Sequence, residues 1–241
     1  MVDTAQPHTK VVHFVRHGEG FHNVAGRADQ ANYLSREYYD AHLTENGWRA
    51  LETAAGAFGG GEWRGQGNGP LLMAALESEP GKQAPHAAIS AGGCPPFIAW
   101  EECREHLGRH PCDQRRALSH YKAAFPAVDF CLIKSEEDEL WTPDTREGHA
   151  EIRARGAAFL RWLLARPEPR LAVVTHSSFL FFMLSTLGGQ CDARIKGELH
   201  RWYENCEMRT VVLADASGAS AGLDLNWFPG GPHPSRAAFG A

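Results

Sequence analysis

Apolar positions gather in short runs along the chain, parted by polar and Gly/Pro-rich stretches, and the runs alternate between strand-like and helix-like spacing. Lys10–Val15 (KVVHFV) is β-branched and aromatic, is bounded by turn residues, and reads as a buried strand. Thr44 is placed to cap a helix over Glu45–Phe58, which the glycines Gly59–Gly61 would stop, and Glu62–Pro70 reads as a loop. Pro95–Pro96 breaks the chain before a helical patch over Ala99–His106. The clearest helix is Asp144–Arg166, with Ile152, Phe159, Leu160 and Leu163 on one face and Pro167 and Pro169 ending it. Leu171–Thr175 (LAVVT) is a second buried strand, Ser177–Leu187 an apolar helix, and Thr210–Asp215 (TVVLAD) a late strand.

Strands alternating with helices predict an α/β fold, a largely parallel sheet with helices on both faces. A chain of 241 residues suffices for one such domain, and no linker-like stretch divides its middle. Residues 1–216 therefore read as a single domain. Residues 217–241, rich in Gly, Ala, Ser and Pro, read as a flexible tail.

Charge narrows the partners. A formal net charge of −5 argues against a broad surface for nucleic acid, while a local cluster of arginines can still hold a small anionic substrate. No apolar run, including Phe179–Leu184, approaches the length of a membrane span, so no membrane partner is expected. The opening MVDTAQPHTK has neither the apolar core of a secretory signal nor an Arg-rich transit character. Six cysteines without a CxxC pair read as reduced thiols, and a cytoplasmic location is the expectation. Nothing in the pattern speaks to oligomeric state.

The candidate chemistry lies where the two buried strands end. KVVHFV runs into Arg16-His17-Gly18-Glu19, and LAVVT runs into His176-Ser177-Ser178 and a helix. Ligands of open α/β sheets bind beyond the carboxyl ends of strands, so His17 and His176 can face one site. A neutral imidazole is a competent nucleophile toward phosphorus, and charge developing on the phosphoryl oxygens calls for fixed donors. Arg16 suits that task, because a guanidinium holds phosphate through two parallel hydrogen bonds. A lone histidine after a strand is usually a satisfied loop residue; two of them, one within Arg-His-Gly, point to function.

VRHGEGFHN resembles the signature of the histidine phosphatase (phosphoglycerate mutase-like) superfamily. DAHLTENGW, RALETAAGAFGG, CPPFIAWEECREHLGRHPCDQRR, FPAVDF, SEEDELW and VVTHSSFLFF are similar to one branch, the plant and fungal phosphoglycerate mutase-like proteins. The resemblance covers Val11 to Asp215. It implies that His17 is a phosphohistidine nucleophile, that Arg16 and His176 line the phosphate pocket with Asn23 nearby, and that Glu105 is proton donor and acceptor. It implies a small phosphorylated substrate and no cofactor. In the family a helix and a strand ending in Ser-Pro-Leu-x-Arg follow the Gly-Trp pair, whereas here Gly47-Trp48 runs straight into Arg49-Ala50-Leu51. The fold is thus expected to lack one helix–strand unit after Trp48, about 25–30 residues by the size of such units. Arg49 aligns either with the second pocket arginine at that strand end, as a phosphate ligand, or with the residue just after Gly-Trp.

Three further features have plainer readings. Arg115-Arg116 can grip a second anionic group or start a solvated helix. His106, His110 and Cys112 are potential metal ligands, but Gly108 and Pro111 interrupt the helical spacing and no second ligand pair follows, so no metal is expected. Ser135–Glu139 reads as a solvated acidic loop. The leading expectation is a phosphomonoesterase. Cofactor-dependent mutases carry Ser and Trp after Arg-His-Gly, where this chain has Glu19-Gly20-Phe21-His22, which favours hydrolysis over a mutase reaction. A truncated isoform that binds without turnover is the rival from another class.

Overall fold

A computed structural model describes residues 8–47, 49, 97–126 and 128–215. The helix expected over Glu45–Phe58 is seen at its start, where residues 45–47 and 49 are helical; the rest of it, the Glu62–Pro70 loop, the Trp48 junction and the tail lie outside the described residues. The described chain falls into two compact units, one drawn from the residues up to His17 and from Glu147 onward, the other from Gly18–Arg146.

The first unit is built on a three-stranded sheet of β1 (His8–Arg16), β4 (Arg170–Thr175) and β5 (Met208–Asp215), in the order β4-β1-β5. β1 runs parallel to β4, with Val15 opposite Val174 and Arg16 opposite Thr175. β5 is antiparallel to β1, with Val12 opposite Val211 and Val15 opposite Met208. The class is α/β as expected, and β5 begins two residues before the apolar run that announced it.

Helix α3 (His149–Ala165) buries Ile152, Phe159, Leu160 and Leu163, the face read from the sequence. It starts later than expected because Glu147 pairs with Arg155 and Gly148 acts as N-cap, its N–H donating to the Glu151 carboxylate at 2.6 Å. Pro167 follows its end, and the buried Lys10 ammonium donates to the carbonyls of Arg166 and Glu168 just beyond. Helix α4 (Ser177–Leu184) is apolar all round and buries every residue from Phe179 to Leu184. It stops short of Leu187 because the hydroxyls of Ser185 and Thr186 bond back to the carbonyls of Phe182 and Met183, at 2.7 and 2.6 Å. Gly156 of α3 lies against Met183, where a Cβ would collide, so a glycine permits the close approach of these helices. A short helix α5 (Ala193–Leu199) precedes β5.

Val12, Phe14, Val173 and Leu213 form the buried sheet face. On the alternate positions Val174 and Val212 remain 64% and 63% exposed. Val15, opposite Val174 on that same face, is nonetheless buried.

The second unit contains α1 (Phe21–Ala28), α2 (Leu118–Ala124) and a two-stranded parallel ladder of β2 (Phe97–Ile98) and β3 (Val128–Asp129). The patch at Ala99–His106 is not an α-helix; it holds one 3-10 turn, Glu101–Cys103. Its charged side chains turn inward instead. Arg104 forms a two-pronged pair with Asp138 at 2.8 and 2.6 Å, and Glu101 accepts from Arg115 at 2.8 Å. Asp138 also accepts the N–H groups of Arg115, Leu140 and Trp141, so the acidic run Ser135–Glu139 is not simply a solvated loop. Arg115 is likewise spent, donating to the carbonyls of Ser135, Glu136 and Glu137. Gly108, at φ +82, turns the chain against the Thr145 carbonyl, a conformation that disfavours a side chain.

Candidate active site

In the first unit the parallel pairing of β1 and β4 brings Arg16-His17 and Thr175-His176 to the same end of the sheet. The His17 N–H continues the ladder by donating to the Thr175 carbonyl at 2.9 Å. The imidazole centroids of His17 and His176 lie 4.9 Å apart with the rings tilted by 56°. His176 is the N-cap residue of α4, so the positive end of that helix dipole falls beside it. The Arg16 guanidinium is steadied by donation from Nη1 to the Tyr203 carbonyl at 2.8 Å. Two imidazoles and a helix N-terminus thus lie at one end of the sheet, with Arg16 preceding His17 in the chain.

The turn before β5 contributes what the sequence reading missed. The His17 carbonyl accepts from the backbone N–H of Cys206 at 3.1 Å and from the Asn205 side-chain amide at 3.2 Å. The Arg16 N–H donates to the Glu207 carbonyl at 3.0 Å. Asn-Cys ahead of a strand signals a turn, but no local pattern says which distant backbone that turn will hold.

The remaining predicted residues belong to the second unit. Asn23 is buried in the first turn of α1, where its side-chain oxygen accepts the Gly20 N–H at 2.9 Å and so fixes the start of the helix. Glu19 accepts from the Thr44 hydroxyl at 2.7 Å and pairs with Arg27; the Thr44 bond, above all, holds its carboxyl below the usual carboxylate range. Thr44 in turn accepts the Gly47 N–H at 3.1 Å, the capping role expected of it. Arg49 is paired with Glu45 one turn earlier, with their side chains 69% and 78% exposed. Glu105 follows Arg104 of the buried ion pair, and its carboxylate accepts the N–H of His106 at 2.8 Å. That bond folds the carboxylate back onto the adjoining backbone.

The metal alternative finds other partners. His110 stacks on Tyr33 with centroids 5.4 Å apart, and burial, with Arg146 nearby, depresses its pKa to about 3. Burial pushes the Cys112 thiol well up, and no group of three potential ligands forms among the described residues. Arg116 pairs with Asp40 at 2.5 Å and lies over the Tyr39 ring.

Curated relatives decide the lineage. Phosphoglycerate mutase-like protein 1 of Arabidopsis thaliana is 41% identical over 249 residues, covering 92% of this chain and 87% of its own length. The chain belongs to the phosphoglycerate mutase-like proteins. A second such protein of the same plant is also 41% identical, over 86% of this chain and 85% of its own. Phosphoglycerate mutase-like protein 2 is 37% identical over 92% and 79%. These relatives place the chain in the histidine phosphatase superfamily that VRHGEGFHN suggested. An alignment of 249 positions exceeds the 241 residues of the chain, so that phosphoglycerate mutase-like relative carries residues this one lacks. No protein-family model matches the chain. Among solved structures, Mycobacterial hydrolase 1 aligns with 86% of this chain and 97% of its own at a TM-score of 0.44 and 16% identity, a likeness too low to carry an argument. Among the described residues no helix is long and apolar enough to cross a membrane.

Proposed function

We propose that the protein is a metal-independent phosphomonoesterase that acts on a small phosphorylated metabolite through a phosphohistidine at His17. The observation that carries this reading is the approach of the His17 and His176 rings to 4.9 Å at the ends of parallel strands, next to Arg16. A ring nitrogen of His17 attacks phosphorus as the P–O bond to the leaving group breaks. Glu105 gives its proton to the departing alkoxide and then takes one from the water that attacks phosphohistidine. Water's oxygen forms the new P–O bond, the P–N bond breaks, and inorganic phosphate leaves with His17 restored. Arg16 and His176 stabilise the equatorial oxygens throughout, supplying the positive charge that phosphoryl transfer requires. Asn23 and Arg49 complete the set of phosphate ligands in this reading.

The names of the plant relatives favour one alternative, a mutase that returns the phosphoryl group to a hydroxyl instead of water. Incubation with a generic aryl phosphate, with and without EDTA, tests the main reading. We expect stoichiometric release of inorganic phosphate, unaffected by the chelator, and an acid-labile phosphoenzyme that His17→Asn abolishes. Transfer of phosphate to added polyols without free phosphate would favour the mutase; a phosphoenzyme that survives His17→Asn would end the reading.

A further inference from the structure

Four hydrogen bonds tie the Arg16-His17 dipeptide to the turn at residues 203–207. Arg16 is held at its guanidinium by the Tyr203 carbonyl and at its N–H by the Glu207 carbonyl. Both N–H donors received by the His17 carbonyl come from this turn, one from the Cys206 backbone and one from the Asn205 side chain. The His17 N–H is meanwhile committed to Thr175, so the backbone of this residue is fixed on both sides. A ring whose backbone cannot shift keeps a narrower range of positions, which matters for a nucleophile that must meet phosphorus in line.

The turn is itself braced. The Glu207 N–H donates to the Glu204 carbonyl at 3.0 Å, and the Glu204 N–H returns to the Glu207 carboxylate at 2.7 Å. Arg209 and Arg201 each donate to that carboxylate at 2.8 Å. The Arg209 guanidinium lies 3.8 Å from the centroid of the buried Tyr203 ring and also donates to the carbonyls of Arg201 and Trp202. Cys206 sits at φ +59, a conformation that an L residue keeps only when its surroundings impose it. Toward Arg16 and His17 themselves the turn presents two backbone carbonyls and one backbone N–H. Asn205 is different, since its contact with His17 depends on the identity of a side chain.

We infer that Asn205 is a positioning residue for His17, acting through the His17 carbonyl rather than on substrate. The inference rests on His17 being the phosphorylated residue, and its test separates the two claims. Histidine labelled with ¹⁵N in the ring is followed by NMR in the unmodified chain and in Asn205→Ala and Asn205→Asp, with the His17 signals assigned by their loss in His17→Gln. Alanine removes the donor. Aspartate keeps the shape but, when ionised, presents only acceptors to a carbonyl that needs a donor.

The His17 ring signals are expected to shift or double in both variants, while those of His200, bonded to the Leu187 carbonyl, stay in place. Phosphoenzyme formation should slow about tenfold with KM unchanged, the weight of one hydrogen bond. The loss in Asn205→Asp should shrink relative to Asn205→Ala as the pH falls through the titration of the new carboxyl, because a protonated acid can donate again. Spectra of His17 that superimpose on those of the unmodified chain would overturn the inference. An unmodified chain that never forms phosphohistidine, yet whose His17 signals respond to Asn205, would remove the proposed chemistry and leave the positioning role standing.

Discussion

The His17 and His176 rings stand 4.9 Å apart because two strands distant in sequence run parallel and end level. Replacing His17 by Ala should therefore remove turnover and the phosphoenzyme together. Replacing His176 by Ala should leave a phosphoenzyme that forms about 10²–10³-fold more slowly, the usual weight of one donor to a developing oxyanion. Aryl phosphate kinetics beside thermal unfolding would check this; equal, small losses for both variants would deny the pair its role.

Glu105 offers a test of its own. If it protonates the leaving oxygen, Glu105→Gln should slow alkyl phosphates about 10²–10⁴-fold, the range for general acid catalysis, and aryl phosphates far less, because phenolates leave unaided. Competition between the two substrate types in one assay gives the ratio directly. Equal losses on both would assign the carboxylate only its bond to the His106 N–H.

The two strand-to-histidine endings were legible because buried β-branched runs have few alternatives, and both endings fell where parallel strands deliver ligand sites. The α3 face was legible for the same reason, as Ile152, Phe159, Leu160 and Leu163 recur at helical spacing and all are buried. The Ala99–His106 patch misled because helical spacing was read from residues whose charges bind elsewhere: Arg104 to Asp138, and Glu101 to Arg115. Residues 203–207 were silent for another reason. Three of their four bonds to Arg16 and His17 use backbone groups, and sequence records side chains rather than the direction of a carbonyl.

The Arg104–Asp138 pair should be felt in stability. The Asp138 side chain is 1% exposed and that of Arg104 14%, so removing one partner strands the other away from water. Asp138→Ala should cost about 3–5 kcal/mol in urea unfolding, as for other buried pairs broken on one side. Burial pushes the Asp138 carboxyl up, but the hydrogen bonds from Arg104 and from the Arg115 N–H outweigh it and leave the pKa below the usual carboxylate range. A carboxyl lowered in the folded state contributes its full stability above an unfolded pKa of about 4 and loses it as pH falls through the folded value. The difference between the unmodified chain and Asp138→Ala should accordingly be constant from neutral pH down to about 4 and narrow below it. A difference that persists unchanged into stronger acid would show that the carboxylate's charge is not what the fold uses.

The junction at Trp48 and Arg49 decides whether this chain is a complete enzyme. Arg49, offered above as a phosphate ligand, is paired with Glu45 on an exposed surface, and such i,i+4 pairs are worth about 0.3–0.5 kcal/mol. Holding phosphate would require it to leave that pair. Val174 and Val212 remain 64% and 63% exposed on the sheet, and burying a valine contributes about 1.5–3 kcal/mol. The plant relative meanwhile aligns over 249 positions, more than the 241 residues of this chain. We propose that the residues this chain lacks form one helix–strand unit after Trp48. Inserting such a unit from a plant relative between Trp48 and Arg49 should raise the unfolding midpoint and lift phosphatase turnover at least about tenfold, part of the two to four kcal/mol that a pocket donor supplies. Arg49→Ala should then weaken the inserted chain strongly and the unmodified chain to a smaller degree. Cooperative unfolding and robust turnover of the unmodified chain, with no gain on insertion and a large loss on Arg49→Ala, would instead show that Arg49 abandons Glu45 for the substrate and that the compact form is sufficient.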